Sequence, residues 1–256
     1  MNLLFIGDVV GQSGCDFLES RMYKLKREYD IDVTVVNGEN SAQGNGITPQ
    51  SYRQLLNMGA DVVTTGNHSF RRREAEELYD TNEQLLRPAN YPEGVMGHGV
   101  TYIDMCPYKI AVVNLMGTMY MEAVENPFNY VDKLLESIDT PNIIVDFHAE
   151  ATAEKLALAH YLDGRVSAVL GTHTHVTTAD ERLLPNGTAY ITDVGMCGGR
   201  NSILGVEKSR AIEKLRTGLP HRFSNDPEQI ELHGVLLTFE GTSGRVGRIE
   251  RIFAPA

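Results

Sequence analysis

NIIVDFHAEATAEKLALAHYLDGRVSAVLGTHTH, residues 142–175, holds the organisation of the chain in one span. NIIVDF (142–147) and SAVLG (167–171) are short apolar runs without polar alternation, the pattern of strands covered on both faces. Ala151 to Leu162, between them, reads as a helix. A strand, a helix and a strand in that order predict an α/β fold. Imidazole meets the end of each strand: His148 after the first, His173 and His175 after the second.

The alternation continues outward on both sides. LLFIG (3–7), VTVVN (33–37), DVVTTG (61–66) and KIAVVNL (109–115) precede the span, and AYITDVG (189–195) follows it. Leu18, Met22, Leu25 and Tyr29 make one apolar helical stripe. Thr48-Pro49 starts another helix, and Gly59 stops it. HGVLLTFE and GRVGRIERIF flank Gly241 to Gly244 and predict a hairpin, an antiparallel addition at the C-terminus. No repeat or linker divides the chain, so residues 1–256 are expected to form a single domain.

Composition narrows the function classes. The formal charge of −11 speaks against nonspecific binding to a nucleic-acid backbone or an anionic membrane, and no nucleic-acid duplex is expected as a partner. A small anionic substrate remains open if something positive receives it, and bound cations would serve. Cys15, Cys106 and Cys197 are too few and too scattered for a disulfide framework or a CxxC metal clip. With no cleavage signal after Leu3–Ile6 and no apolar run near the ~20 residues of a membrane span, the expected location is cytoplasmic.

Polar residues collect where the strands end. Asp8 follows the first strand, Glu39 and Asn40 the second, Asn67 and His68 the third, and the histidines follow the later ones. Ligands of α/β sheets bind beyond the carboxyl ends of the strands. A lone Asp there is usually a turn or cap and a lone His is usually structural, but so many loaded strand ends point to one site. Mixed oxygen and imidazole donors without thiolates suit Mn, Fe or Zn. Two such cations, about 3.5–4 Å apart, need one bridging carboxylate and separate terminal ligands.

These residues carry a resemblance. GD (7–8), GNH (66–68), His148 and GTHTH (171–175) follow the order of calcineurin-like metallophosphoesterases. GDVVG (7–11), NGEN (37–40), PANYP (88–92), HAEAT (148–152) and TDVGMCG (192–198) resemble more closely the bacterial YmdB-like phosphodiesterase family. The resemblance implies a four-layer fold, a two-sheet sandwich flanked by helices. It also implies a dinuclear Fe or Mn centre, with Zn as a third choice, and a phosphodiesterase acting on cyclic nucleotides of the 2′,3′ type through a metal-bridging hydroxide. Asp8, Glu39, Asn40, Asn67, His148, His173 and His175 match the family's metal ligands, and His68 its catalytic acid. One cation would take Asp8, Asn40 and His175, the other Asn67, His148 and His173, with Glu39 between them.

Two departures stand out. Val10 occupies the place of the first motif's histidine in broader metallophosphoesterases, and Glu39-Asn40 replaces their second motif. After His68 the close family usually has a Trp and an Asp, whereas this chain reads Ser69-Phe70-Arg71-Arg72-Arg73. The arginines are expected either to pair with Glu74, Glu76 and Glu77 or to contact phosphate. A dinucleotide-binding dehydrogenase fails because Gly7, Gly11 and Gly14 do not fit G-x-G-x-x-G. A phosphotransferase with Asp8 as nucleophile lacks the second carboxylate at Val10. A metal-binding regulator or scaffold with vestigial activity is the remaining alternative. Met116, Met119, Tyr120, Met121 and Phe128 fit no single buried face, and they are read as a loop over the sheet edge or a contact of a homo-oligomer.

Overall fold

β1 (Asn2–Ile6) shows why the strands read as unbroken apolar runs. Successive side chains alternate between faces, and Leu3, Leu4, Phe5 and Ile6 are all fully buried. Leu3 and Phe5 join a core shared with Ile110, Val112, Ile144 and Leu170, whereas Leu4 and Ile6 join one that contains Leu18, Met22 and Leu55. A computed structural model describes residues 1–106 and 108–255. After β1 come β2 (Asp8–Val9), α1 (Gly11–Glu28), β3 (Val33–Asn37), α2 (Pro49–Asn57), β4 (Val62–Thr64), a 3-10 turn (Arg73–Ala75), α3 (Glu76–Thr81) and β5 (Leu85–Leu86). Next are β6 (Val100–Asp104), β7 (Lys109–Met116), α4 (Pro127–Glu136), β8 (Ile143–His148), α5 (Thr152–Tyr161) and β9 (Ala168–Thr172). The chain closes with β10 (Arg182–Leu183), β11 (Ala189–Ile191), β12 (Met196–Gly199), α6 (Lys208–Thr217), β13 (Ile230–Phe239) and β14 (Val246–Ala254).

Two sheets result. The first has eight strands in the order β2-β12-β13-β1-β3-β4-β5, with β14 also paired to β13. The second has six, β10-β11-β9-β8-β7-β6, parallel through its centre and antiparallel at both edges. The inner core lies between them. One outer core packs the first sheet against α1 and α2, and the other packs the second sheet against α4 and α5. The architecture is the expected two-sheet sandwich flanked by helices. Each fully buried Leu, Val or Phe in these layers contributes about 1.5–3 kcal/mol relative to exposure.

Local signals explain the helix boundaries. Thr48 caps α2 by accepting a hydrogen bond from Ser51 N at 3.1 Å, and Ser51 Oγ accepts one from Thr48 N at 3.0 Å. Gly59 follows the helix with φ +104°, a conformation that disfavours other residues.

The C-terminal hairpin is present but is no appendage. β13 runs antiparallel beside β1, from Asn2 opposite Thr238 to Ile6 opposite Gly234, and β14 covers its other edge. Its residues Leu232, Val235 and Leu237 are fully buried, so this strand is core in its own right. The run expected to stay extended to Gly195 leaves the sheet after Ile191, because the Thr192 and Asp193 amides bond to the Asp180 and Thr178 side chains. The Met-rich segment divides three ways: Met116 ends β7, Met121 and Phe128 pack on the outer core of the second sheet, and Met119 and Tyr120 are exposed.

Candidate metal centre

The carboxyl ends of strands from both sheets converge on one site. Asp8 opens β2 just beyond β1, Glu39 and Asn40 follow β3, and Asn67 and His68 follow β4. His148 ends β8, while His173 and His175 follow β9. All eight predicted residues come together. Sequence position alone suggested one sheet edge; in the structure two sheets face each other across the site.

Contacts sort the side chains into two sets that share Glu39. In the first, Asn40 Nδ2 lies 3.4 Å from Asp8 Oδ1, 3.2 Å from His175 Nε2 and 3.1 Å from Glu39 Oε1. In the second, His148 Nε2 lies 3.0 Å from Asn67 Oδ1, 3.1 Å from His173 Nδ1 and 3.2 Å from Glu39 Oε1. The donor atoms of Glu39, His148 and His173 all fall within 4.8 Å of one another, a spacing that could hold a cation. Gly66 makes this approach possible: a Cβ there would stand 2.1 Å from His148 Cδ2 and 2.4 Å from Glu39 Oε2. His68 stands at the opening with its side chain 24% exposed, and its Nδ1 is 3.1 Å from Glu39 Oε1.

The charge balance fits cations. Asp8 and Glu39 are buried, and among the described residues neither meets a lysine or arginine; their charged partners are His175, His68 and His148. Burial opposes ionisation of Asp8, but His175 beside it holds its carboxyl below the usual value. Burial likewise opposes ionisation of Glu39, and His148 and His68 hold it well below. In return, despite burial, Glu39 lifts His148 to about 9. Burial would lower His175, but Asp8 raises it. Burial and the neighbouring His148 charge push His173 down to about 4. Imidazoles alone thus offset two buried carboxylates, a task that suits a pair of divalent cations. The thiols take no part: Cys15 and Cys197 are buried elsewhere, between α1 and β12, and burial pushes Cys15 up to about 12.

Sequence reading missed the layer behind the imidazoles. Thr172 Oγ1 donates to Asp146 Oδ1 at 2.7 Å and faces His148 Nδ1 at 2.9 Å, which turns His148 Nε2 toward the site. Asp146 also accepts from Asn37 Nδ2 at 3.0 Å, and burial pushes it up to about 6. Its one visible signal was a carboxylate inside an otherwise apolar run. His175 Nδ1 donates to the Leu204 carbonyl at 3.0 Å, leaving Nε2 for the site. Lys155 and Asp193, both fully buried, pair at 2.7 Å, and Asp193 accepts from Thr174 N at 3.0 Å. That clamp steadies a loop in which His173 (φ +99°) and His175 (φ +63°) occupy the left-handed region, at a cost of about 1–3 kcal/mol each. No spacing rule pairs Lys155 with Asp193, so only the fold reveals it.

The arginine triplet does not pair with the glutamates that follow it. Arg72 donates to the carbonyls of Asn45 (3.0 Å) and Gln43, and so ties down the 43–45 loop. Among the described residues, none of Arg71, Arg72 and Arg73 pairs with a carboxylate, including Glu74, Glu76 and Glu77.

Comparison with known proteins gives the family and the fold. A family model described as YmdB-like protein matches residues 4–252. The chain is 46% identical over 254 residues to a Bacillus subtilis (strain 168) protein described as a 2′,3′-cyclic-nucleotide 2′-phosphodiesterase, covering 98% of this chain and 96% of the relative. A crystal structure described as a novel phosphatase of Mycoplasma pneumoniae superposes with a TM-score of 0.95 at 33% identity, over 100% of this chain and 93% of that one. A calcineurin-like phosphoesterase of Bacillus subtilis shares the fold, with a TM-score of 0.58 at 12% identity, over 100% of this chain and 90% of that one.

Proposed function

The chain belongs to the YmdB-like family, and from that premise we propose a metal-dependent phosphodiesterase that opens 2′,3′-cyclic nucleotides. The observation that carries the reading is the pair of donor sets joined at Glu39, with His68 at their opening. Asp8, Asn40 and His175 would hold one cation, Asn67, His148 and His173 the other, and Glu39 would touch both; Asn40 would serve through its amide oxygen, by turning over the amide that here directs Nδ2 at Asp8 and His175. When bound, the cations supply Lewis acidity that activates a water and offsets charge on the phosphoryl oxygens. Iron or manganese suits this oxygen and imidazole set, with zinc next.

Hydrolysis forms one P–O bond to water and breaks the bond from phosphorus to O2′. His68 supplies the proton that O2′ needs. Its Nδ1 is engaged near Asn40 Oδ1 at 3.0 Å and Glu39 Oε1 at 3.1 Å. Its Nε2 points instead toward Asn45, 3.4 Å away, where the site opens. A general acid there contributes about 10²–10⁴-fold. Asn40, in contact with Asp8, Glu39 and His175 as well as His68, fixes the acid relative to the donor sets. The regulator or scaffold alternative leaves this placement of His68 without a purpose.

A screen of 2′,3′- and 3′,5′-cyclic nucleotides, with elemental analysis of the same sample, tests the reading. Expected are turnover of the 2′,3′ class and two metal equivalents per chain; metal-loaded protein inert toward every cyclic nucleotide rejects it. Scattered free cysteines support a cytoplasmic location, which cell fractionation checks. No helix among the described residues is long and apolar enough to cross a membrane. Exposed Met119 and Tyr120 support a homo-oligomer, and a wild type monomeric by light scattering rejects that assembly.

A further inference from the structure

Beside His68 lies a cleft of about 1050 Å³. Asn45 belongs both to its lining and to the surroundings of His68 Nε2, so the cleft adjoins the candidate metal centre. Among the described residues, Arg71, Arg72, Lys214 and Arg222 line it and no carboxylate does, with Glu213 standing 3.5 Å from the lining His221, although the chain carries 34 acidic residues against 23 Lys and Arg. These cations come from three separate segments: the turn after β4, helix α6 and the loop beyond α6. Arg72 is occupied with backbone carbonyls and stiffens the wall. Among the described residues, Arg71, Lys214 and Arg222 enter no ion pair. Phe223 adds an exposed ring to the cleft, with Lys214 Nζ 4.6 Å from its centroid.

Like charges gathered in a concave surface repel one another unless an anion joins them. A cyclic mononucleotide brings one phosphate, and the metal centre takes that one. The cleft is also at the upper end of the size that a drug-sized ligand fills, and so has room for more than a lone phosphate. In a 2′,3′-cyclic nucleotide both secondary oxygens are closed into the ester ring. The chain can therefore continue only through the 5′ oxygen. A cationic groove with an aromatic platform is the arrangement that holds single-stranded nucleic acid.

We infer that the cleft receives the 5′ side of a short oligoribonucleotide whose 3′ end carries the 2′,3′-cyclic phosphate. Arg71, Lys214 and Arg222 meet its backbone phosphates, and a base stacks on Phe223. The inference rests on the cyclic phosphodiesterase reading and names the substrate class of the same site. It is compatible with the overall charge of −11, because only the single-stranded end enters a locally cationic cleft.

The test compares kcat/KM of metal-loaded protein on three substrates: adenosine 2′,3′-cyclic phosphate, its 5′-phosphorylated form, and a triadenylate ending in a 2′,3′-cyclic phosphate. The triadenylate is expected to win by about tenfold or more at low salt, with the 5′-phosphorylated form in between. That ratio should fall as salt rises, and should collapse toward one in Arg71→Ala/Arg222→Ala. It should persist in Arg73→Ala, whose guanidinium lies outside the cleft lining. Equal kcat/KM on the three substrates, a full preference already reached with the 5′-phosphorylated mononucleotide, or a preference that survives the double variant overturns the inference. A wild type inert toward all three defeats the phosphodiesterase reading instead. Fluorescence anisotropy of a labelled triadenylate 3′-phosphate then judges the cleft by itself: binding lost in the double variant supports it, and no binding to wild type ends it.

Discussion

The first sheet brings oxygen to the site, and the second brings nitrogen. Asp8, Glu39, Asn40 and Asn67 follow strands of the first sheet; His148, His173 and His175 follow strands of the second. The two sides are held differently. Among the described residues, the charge of the buried carboxylates Asp8 and Glu39 is balanced by imidazoles of the opposite sheet and by His68 of their own. His148 and His175 instead have one ring nitrogen fixed from behind, by the Thr172 hydroxyl and the Leu204 carbonyl. Negative charge is thus supplied by one sheet and aim by the other. The apolar layer between the sheets sets the distance at which they meet.

Glu39 stands on the first sheet but is shared by both donor sets, so its loss has the largest expected effect. Glu39→Gln keeps the size but removes the shared charge, and both metal content and turnover should collapse. Two retained metals with near-native turnover would break the bridging assignment. His68 belongs to neither donor set. His68→Ala should keep its metals and lose about 10²–10⁴-fold in kcat, with a smaller loss on p-nitrophenyl phosphodiesters, whose leaving group needs no proton. Equal losses on good and poor leaving groups would remove the general-acid role.

The smallest effect sharpens the contrast between the sheets. Thr172→Val takes away the hydroxyl between Asp146 and His148 with little change of shape. Metal affinity should drop about 10–100-fold, the range for lost partners behind a ligand, and the drop should be confined to one of two cations. Chelator competition resolves the two binding steps. If both weaken equally, the two donor sets do not hold their cations independently.

The strands were legible because burial on both faces leaves an unbroken apolar run, and α2 because Thr48 and Pro49 announce it. The eight site residues were legible for a related reason: a polar group directly after such a run has the end of a sheet as its address. Helix α6 was not legible, since Ala211 is its one buried residue and no apolar period shows. The interior position of β13 was hidden because an antiparallel hairpin reads the same at an edge or a centre. Lys155 and Asp193 were hidden more deeply, as two charges from distant segments whose pairing depends on how α5 packs beneath the second sheet.

The placement of β13 also governs the order in which the protein can be finished. During synthesis β1 emerges first and can pair with β3 early, but its other edge waits for residues 234–238. Asp8 waits as well, because its backbone N–H is held by the Gly195 carbonyl at 3.0 Å and its strand pairs with Met196. Such distant pairings form slowly, and an edge left open meanwhile invites pairing with other chains. The earliest of the candidate ligands to be synthesised is therefore among the last to be fixed in position. On the proposed assignment, cation loading would follow the emergence of residues 195–238 from the exit tunnel.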